Sequence, residues 1–466
     1  KVYQFLWGDW IVLPLPGGSS FRLSLLVLIL IPAGIWFTIR TRFLPIRLFP
    51  DMLHALFEKK GKEEGESHNS TLSALQTLIV STATRVGMGN LVGVVAAISA
   101  GGAGAVFWMW VTALIGSSTA FVEATLAQIY KEKDPVYGGY RGGPAYYMHR
   151  FIQEKRGGKK KRYVGISVLF AISGLICWCG ISQVISNSVT SAFHNAFHIP
   201  PIYTTVVLVA LAAVIIFRKT ATVKVLDVLV PVMAGCYFLI TVILICMNFS
   251  ALPGVFSRIF EEAFGIRQAV AGGLGTVVMN GVKRGLFSNE AGSGSAPCAA
   301  AAAESNQPVK LGLTQALGVF IDTIVICSCT AMIMLLTPES LTEGAVGMEL
   351  LQVAMGYHLG QFGVIFIAAT LWLFSFSTFL GILYYARSNI SYLFGDGMLP
   401  QNLYKVLALV MMFIGGLAAY TVVWDLGDVG VGLMTVFNII MLYPMSGIAM
   451  KALKSYETEK KNRKKG

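Results

Sequence analysis

Apolar residues dominate this chain in runs of about twenty, and short polar segments separate the runs. About twenty apolar residues suffice for a helix to cross the hydrocarbon core of a bilayer. This criterion predicts about eleven membrane-spanning helices, at residues 21–39, 71–100, 104–130, 163–191, 202–217, 227–247, 264–288, 310–337, 360–391, 402–424 and 430–450. Residues 1–20 are typical of an interfacial segment, and residues 451–466 form a basic tail. The pattern indicates an all-α polytopic membrane protein.

The span at 71–100 has polar and flexible residues at its centre. Arg85, Gly87, Gly89 and Asn90 stand where lipid offers them no partner. Backbone leaves a helix at membrane depth only where protein buries it or where it lines a wet cavity. We therefore predict a broken helix whose freed backbone groups face a ligand. The alternative is a kinked helix whose glycines allow close helix packing.

A second glycine-rich span, 264–288, follows five spans later when the span at 21–39 is set aside. Gly272, Gly273 and Gly275 are predicted to interrupt it at mid-membrane. An odd offset makes the two interrupted helices cross the bilayer in opposite directions. This is the sequence signature of an inverted repeat of five plus five helices. The predicted repeats are residues 71–247 and 264–450, with one extra N-terminal helix before them.

The composition and the charge pattern agree with a membrane protein. The chain is 55% hydrophobic and 13% charged. Its net charge of +12 comes from basic residues that lie between the apolar runs. This placement indicates which loops face the cytoplasm, and it argues against a nucleic-acid partner. Basic clusters are predicted on the cytoplasmic face, namely residues 40–62 and 131–162, Lys283, Arg284, Lys310 and the tail. The acidic segments are predicted outside, around Glu339, Glu343, Glu349, Asp425 and Asp428. The N-terminus is then outside and the C-terminus inside.

The break in the first interrupted span offers groups that suit an anion. The half-helix after the break presents the free N–H groups of Met88, Gly89 and Asn90 at the positive end of its dipole. A substrate carboxylate is the predicted ligand, and the bare backbone at Gly87 and Gly89 would let it approach closely.

The same break offers groups that suit a cation. The half-helix before it leaves the carbonyl oxygens of Ala83 and Val86 without helical partners, and a sodium ion can use them. Ser377 and Thr378 are adjacent hydroxyls in the ninth span and are further candidate ligands. Alternatively, they bond to carbonyls of their own helix.

Other candidate substrate contacts lie on three further spans: Gln183, Gly272, Gly273, Thr276, Met279, Asn280 and Trp372. Gln183 and Asn187 share one face at i, i+4 spacing, and we expect that face to meet the broken helices. Amides in membrane helices also commonly bond to a neighbouring helix. Thr276, Met279 and Asn280 follow the glycine break, and bulky walls formed by Trp372 and Phe374 would restrict the pocket to a methyl or hydrogen side chain.

Arg85 requires a partner or water, because an ionised side chain at mid-membrane costs about 2.5–3.5 kcal/mol on insertion scales. A rise of about 1.5 Å per residue puts Asp322 at a comparable depth and Glu123 nearer the cytoplasmic edge. Asp322 is therefore the predicted partner. The pair could be a structural ion pair, or Arg85 could contact the substrate carboxylate.

Several motifs resemble the alanine or glycine:cation symporter family. They are VGMGN at 86–90, GGAGAVFWMW at 101–110, RGGPAYYM at 141–148, FIDT at 320–323 and above all KRGLFSNEAGSGSAP at 283–297. The resemblance implies sodium-coupled import of alanine or glycine across a prokaryotic inner membrane, on the architecture of the leucine transporter. It implies that the carbonyls of Ala83 and Val86 hold one sodium with Ser377 and Thr378, and that the amides of Met88 and Gly89 hold the substrate carboxylate. Arg85 departs from that class, which has a small residue near a second sodium.

The segment 283–297 is expected to form a tightly turned cytoplasmic loop that seals the inward pathway. A proton-coupled or uncoupled carrier of the same fold is the alternative, with Arg85 and Asp322 handling charge. A channel would need polar rings along a pore, and an enzyme would need a nucleophile and a base. Neither is visible in the sequence, so an alternating-access transporter that is not an enzyme is predicted.

Overall fold

The chain is nearly all helical in the computed structural model. The structure describes residues 1–14, 20–57, 87–136, 138–158, 161–217, 221–267, 273–303, 305 and 307–463. Within these ranges, seven helices are long and apolar enough to cross a membrane, and three shorter apolar helices accompany them. The predicted all-α membrane class is confirmed. The number of eleven spans and the inverted repeat stay predictions.

The N-terminal part of the chain is more structured than an interfacial segment. It forms α1 (Val2–Trp7), the antiparallel hairpin of β1 (Asp9–Pro14) and β2 (Ser20–Ser24), α2 (Leu25–Arg40), α3 (Leu44–Arg47) and α4 (Phe49–Phe57). The first membrane helix starts at Leu25 because Ser24 caps it, accepting a hydrogen bond from the backbone N–H of Val27 at 3.4 Å.

The first predicted repeat is described from Gly87 onward. A π-helical turn over Gly89–Gly93 leads into the first of the helices in this part of the chain. These are α5 (Val94–Gly101), α6 (Gly104–Ile129), a short hairpin of β3 (Glu132–Lys133) and β4 (Tyr140–Arg141), α7 (Pro144–Lys155), α8 (Gly165–Phe197), α9 (Pro201–Phe217) and α10 (Ala221–Met247). Helix α8 packs mainly against the long helices of the C-terminal part.

The second predicted repeat contains more elements than its spans suggest. These are α11 (Leu252–Ala263), α12 (Gly273–Asn289), α13 (Ala296–Ala302), α14 (Pro308–Phe320), a π-helical segment (Ile321–Cys327), α15 (Ser328–Leu335), α16 (Glu339–Thr342), α17 (Met348–Phe394), α18 (Met398–Leu417) and α19 (Tyr420–Arg463). Helix α17 is kinked at Gly360, where φ is +62°. Asp425 and Asp428 were predicted in an outer loop. They lie inside α19, because the preceding helix ends at Leu417 and α19 begins at Tyr420.

Gly273 and Gly275, predicted to interrupt the second glycine-rich span, lie in the first turn of α12. Gly273 starts α12 and does not break it, and a side chain at Gly275 would lie 2.5 Å from backbone atoms of Arg22 in β2. These glycines therefore serve a close contact at one end of the helix. Gly272 lies outside the described residues.

A break in regular helix lies in the segment 290–295, which joins α12 to α13. Three of its residues have positive φ values: +58° at Glu290, +94° at Gly292 and +83° at Gly294. Residues 291–295 are buried. The motif that was expected to form a cytoplasmic loop therefore consists of the last turns of α12 and a buried break, and that expectation is wrong.

Candidate functional site

The two π-helical segments, Gly89–Gly93 and Ile321–Cys327, meet in the protein interior. The side-chain amide of Asn90 donates hydrogen bonds to Asp322, to the carboxylate oxygen Oδ1 at 2.7 Å and to the backbone oxygen at 3.1 Å. Both residues are fully buried. Few π-helical turns occur in proteins, and those that do are often at functional sites. This contact between two of them therefore marks a candidate site.

The Asp322 carboxylate also joins the end of α12 to this contact. Its Oδ2 atom accepts hydrogen bonds from the hydroxyl groups of Ser288 and Thr323, each at 2.8 Å. A buried carboxylate needs such partners, since an unpaired one would be strongly unfavourable. Arg85, its predicted partner, lies outside the described residues, so that ion pair stays a prediction.

The start of the first π-helical turn contacts helix α17. The backbone N–H of Gly87 donates to the Asn90 side-chain oxygen at 2.9 Å, and the N–H of Met88 donates to the Thr378 hydroxyl at 3.1 Å. The structure thus brings together Met88 and Thr378, which are 290 residues apart in the chain. Ser377, next to Thr378, is buried. The predicted carbonyl ligands Ala83 and Val86 lie outside the described residues.

Gly89 lies directly against helix α12, and we expect the substitution Gly89→Ala to abolish substrate binding. A methyl group there would lie 3.3 Å from Cα of Ser288, closer than most packed carbons, and it would also cover the bare backbone expected to receive the carboxylate. The measurement is equilibrium binding of radiolabelled alanine to purified protein, with melting temperature in parallel. Native affinity would contradict the prediction, and lost affinity together with a lower melting temperature would assign Gly89 to helix packing alone.

The amide side of α8 packs against α18 and not against the interrupted helices. Asn187 donates to the backbone oxygens of Gly415 at 3.2 Å and Ala418 at 2.7 Å. The backbone of Gln183 packs tightly against Gly415, where any side chain would clash. The Asn187 amide thus satisfies carbonyls at the end of the neighbouring helix, and the substrate contact expected of Gln183 stays a prediction.

The polar residues expected to follow a glycine break lie in an uninterrupted part of α12. Asn280 donates to the backbone oxygens of Thr276 at 2.9 Å and Ala100 at 3.3 Å, which holds α12 against the end of α5. Met279 is a partly buried member of the apolar core. These contacts are those of packing residues, and a role in substrate contact stays a prediction.

Trp372 packs against aromatic neighbours in the bundle. Its ring centroid lies 4.9 Å from that of Phe193 in α8 and 5.5 Å from that of Phe376 on its own helix. Phe374, the second predicted wall residue, is fully buried. Trp372 thus joins α17 to α8, and its predicted place in the pocket wall stays untested.

A second polar cluster stabilises the break at 290–295. The Glu123 carboxylate accepts a hydrogen bond from the backbone N–H of Gly292 at 3.0 Å, and Asn438 donates to the backbone oxygen of Gly292 at 3.0 Å. Asn438 also donates to Glu123 and accepts from the Tyr147 hydroxyl. Backbone groups freed in a break need such partners. From the sequence, Glu123 was weighed only as a partner for Arg85. Its position as a carboxylate inside an apolar span was the signal that it binds buried polar groups.

A third cluster pairs two buried cations with one buried carboxylate. The side chains of Lys283, Arg284 and Asp428 are 4%, 7% and 2% exposed. Lys283 Nζ lies 2.7 Å from Asp428 Oδ2, and Arg284 binds both carboxylate oxygens, at 2.9 and 3.0 Å. The Arg284 guanidinium also lies 3.8 Å from the ring centroid of Trp424. A bidentate pair and a cation–π contact are the interactions that make such burial tolerable.

The N-terminal helix covers this charge cluster. Lys283 donates to the Tyr3 hydroxyl at 2.7 Å, and the Trp7 indole N–H donates to the backbone oxygen of Asp428 at 3.0 Å. Lys283 therefore lies beside the segment that was predicted on the opposite side of the membrane, and its assignment with Arg284 to a cytoplasmic loop is wrong. The positive-inside rule holds for loops, whereas these cations are paired inside helices.

Apolar helices, irregular backbone buried between them and polar clusters at those irregularities are typical of multi-pass membrane transporters. The family model described as the sodium:alanine symporter family matches residues 18–466. The chain therefore belongs to the sodium:alanine symporter family, as its motifs predicted. It is an amino-acid:cation symporter and not an enzyme.

Named relatives agree with this membership. The chain is 41% identical over 447 residues to the amino-acid carrier protein AlsT of Bacillus subtilis, covering 95% of this chain and 91% of that protein. It is 41% identical over 442 residues to the probable sodium/glutamine symporter GlnT of the same organism, covering 94% and 89%. It is 33% identical over 468 residues to the sodium/alanine symporter AgcS of Methanococcus maripaludis, covering 100% and 98%.

Proposed function

We propose that the protein is a sodium-coupled symporter that imports small neutral amino acids, alanine or glycine, by alternating access. The observation that carries the proposal is the contact between the Met88 amide and the Thr378 hydroxyl, 3.1 Å apart. It joins the two segments whose groups suit a carboxylate and a sodium ion. The printed name of the AgcS relative, a sodium/alanine symporter, supports the same cargo.

In this proposal the first interrupted helix serves both cargoes. The amide of Gly89 receives the substrate carboxylate, and the Met88 N–H, which donates to Thr378 in this structure, would turn to the carboxylate when substrate binds. A sodium ion is held by the hydroxyl groups of Ser377 and Thr378. The carbonyls of Ala83 and Val86 complete the sodium shell. Because Met88 donates to Thr378, a change at one cargo position is transmitted directly to the other. The inverted five-plus-five repeat would supply the movement that opens the site to each side in turn.

The sodium gradient is sufficient for accumulation. One elementary charge moving through about 100 mV releases about 2.3 kcal/mol, and a tenfold concentration gradient adds about 1.4 kcal/mol. Together these allow one ion to sustain an accumulation of several hundredfold. ATP is not required by this scheme.

Uptake into proteoliposomes tests the proposal. Purified protein should accumulate radiolabelled alanine when an inward sodium gradient and an inside-negative potential are imposed. Replacing external sodium with choline should abolish accumulation. Uptake that persists in choline and follows a proton gradient would overturn sodium coupling and establish the proton-coupled alternative. Competition by unlabelled glycine, alanine and glutamine would rank the substrates.

We expect the double substitution Ser377→Ala with Thr378→Val to lower sodium affinity at least about tenfold, because two hydroxyl ligands, each comparable to a hydrogen bond to a charged group, leave the site. The measurement is the sodium concentration for half-maximal alanine uptake. Thr370→Val is the matched control. Thr370 lies on the same helix, and its buried hydroxyl has no hydrogen-bond partner among the described residues. Unchanged sodium dependence in the double variant would remove both hydroxyls from the ion site.

We also propose an inner-membrane location with the N-terminus outside and the C-terminus in the cytoplasm. The basic clusters at 40–62, 131–162 and 451–466 support this orientation even after Lys283 and Arg284 are excluded. Two reporters fused at residue 466, one active only in the cytoplasm and one active only in the periplasm, test it. Activity of the periplasmic reporter alone would invert the orientation.

A further inference from the structure

A basic cavity lies at the end of the bundle that carries the loop 131–162. Its volume is about 400 Å³, and it opens between helix α7, the segment before α8 and the last turns of α17. Its charged lining consists of Arg141, Arg150, Lys161, Arg162 and Glu132. The cavity is separate from the interrupted helices described above.

The cavity carries a surplus of positive charge. The Glu132 carboxylate is shared between Arg141, at 3.0 Å, and Arg150, at 3.4 Å. Arg141 also pairs with Asp396. Lys161 and Arg162 are exposed, and across the described ranges of the chain neither forms a salt bridge with a carboxylate. Four cations against one carboxylate in the lining favour an anionic ligand.

His149 contributes mainly shape to this lining. Burial, together with the neighbouring Arg150, lowers the pKa of His149, which favours the neutral form of the ring. Its two nitrogens are engaged by the Tyr392 hydroxyl and the Gln153 amide, each at 2.7 Å. This ring holds α7 against α17 and fixes the rear wall of the cavity.

The cavity opens at the level where a membrane helix begins and another ends. Helix α8 begins at Gly165, three residues after Arg162, and α17 ends at Phe394, two residues after Tyr392. Tyr163 is exposed between them and donates to the backbone oxygen of Leu393 at 2.8 Å. Tyrosines at helix ends are typical of the bilayer interface. The opening therefore lies at headgroup depth.

We propose that this cavity binds the phosphate group of an anionic phospholipid. Basic pockets at the interface recognise acidic headgroups in this way, and about 400 Å³ is within the range of small-molecule sites. Arg150, Lys161 and Arg162 supply the charge, and the acyl chains of the lipid extend along α8 and α17. A bound lipid would join α7 to the two long helices.

Native mass spectrometry of the detergent-purified full chain tests this proposal with phosphatidylglycerol and phosphatidylcholine as probes. The variant Lys161→Gln with Arg162→Gln should bind phosphatidylglycerol about 30-fold more weakly, since each basic residue near the surface contributes about a factor of five. The variant Lys155→Gln with Arg156→Gln is the matched control, because these exposed residues lie on the same surface, remove the same charge and do not line the cavity. Equal weakening in both variants would overturn the proposal.

A competition arm distinguishes the lipid from free phosphate. Inorganic phosphate at about ten times the lipid concentration should leave phosphatidylglycerol bound if the acyl chains contribute to affinity, as expected of a lipid site. Displacement by inorganic phosphate alone would overturn the lipid as the ligand. Equal retention of phosphatidylcholine and phosphatidylglycerol by the native protein would overturn recognition of the acidic headgroup. The melting temperatures of both variants verify that the fold is intact.

Discussion

Replacing Asp428 with asparagine is expected to destabilise the protein by about 3–5 kcal/mol, because it strands two buried cations at once. Lys283 and Arg284 both use this carboxylate, and neither is more than 7% exposed. Asparagine has the same shape but no charge, so the loss reports the ion pairs and not a cavity. The measurement is thermal unfolding in detergent, followed by size-exclusion chromatography or intrinsic fluorescence.

Asp425→Asn is the matched control for that experiment. Asp425 lies one turn earlier on the same helix and is exposed, so its substitution should change stability little. A melting temperature for Asp428→Asn equal to that of the control would contradict the buried ion-pair cluster. Removing one cation as well, in Asp428→Asn with Lys283→Met, should recover part of the loss, since neighbouring sites are not additive.

Replacing Asp322 with alanine is expected to lower both stability and uptake, because three donors lose their common acceptor. These are the amide of Asn90 and the hydroxyls of Ser288 and Thr323. The Asn90 amide keeps the backbone oxygen of residue 322 as an acceptor at 3.1 Å, so the loss falls mainly on the two hydroxyls, at about 1–3 kcal/mol for each buried donor left unsatisfied. Asp322→Asn keeps one acceptor oxygen and should be less severe. Melting temperature and sodium-driven uptake of both variants provide the comparison, and native stability in Asp322→Ala would contradict this network.

The predicted pair of Arg85 and Asp322 requires its own test. If they are in contact, Arg85→Gln and Asp322→Asn should each lose stability, and the double variant should recover part of the loss. Groups more than about 7–10 Å apart would instead give additive losses. Additivity would refute the pair. Restored stability without restored uptake would show that Arg85 also acts in transport.

The sequence indicated an irregular backbone near Gly89 but gave no sign of the break at 290–295. Gly87, Gly89 and Asn90 stand out because they are polar or flexible inside an apolar run, and the structure has a π-helical turn there. Gly273 and Gly275 gave the same signal although they lie at the start of a helix. Glycine occurs both where a helix is broken and where two segments pack closely, and Gly275 against Arg22 is a case of close packing. Only tertiary structure distinguishes these two uses.

The sequence indicates which polar side chains are buried in the membrane region, but it does not show which partners they bind. Asp322 was singled out from its depth, and Asn90 from its place in the break, yet their mutual contact depends on how two distant helices pack. Lys283 and Arg284 were assigned to a loop because charge commonly marks a loop in membrane sequences. Their carboxylate partner, Asp428, is 144 residues from Arg284. Such pairing follows from topology and cannot be derived from local pattern.

The tight attachment of the N-terminal hairpin to α12 has a mechanical consequence. A rigid helix of 17 residues is about 25 Å long, so pivoting it by about 10° at the break would sweep its far end through about 4 Å. At that end Gly275 leaves no space beside Arg22, and nearer the pivot Lys283 is bonded to Tyr3. The hairpin and α1 cannot stay behind during such a swing. The Asp428 turn of α19 would have to move as well, because Trp7 and Lys283 both bond to Asp428. A swing of α12 past a stationary N-terminal segment is therefore not an available design for this transporter.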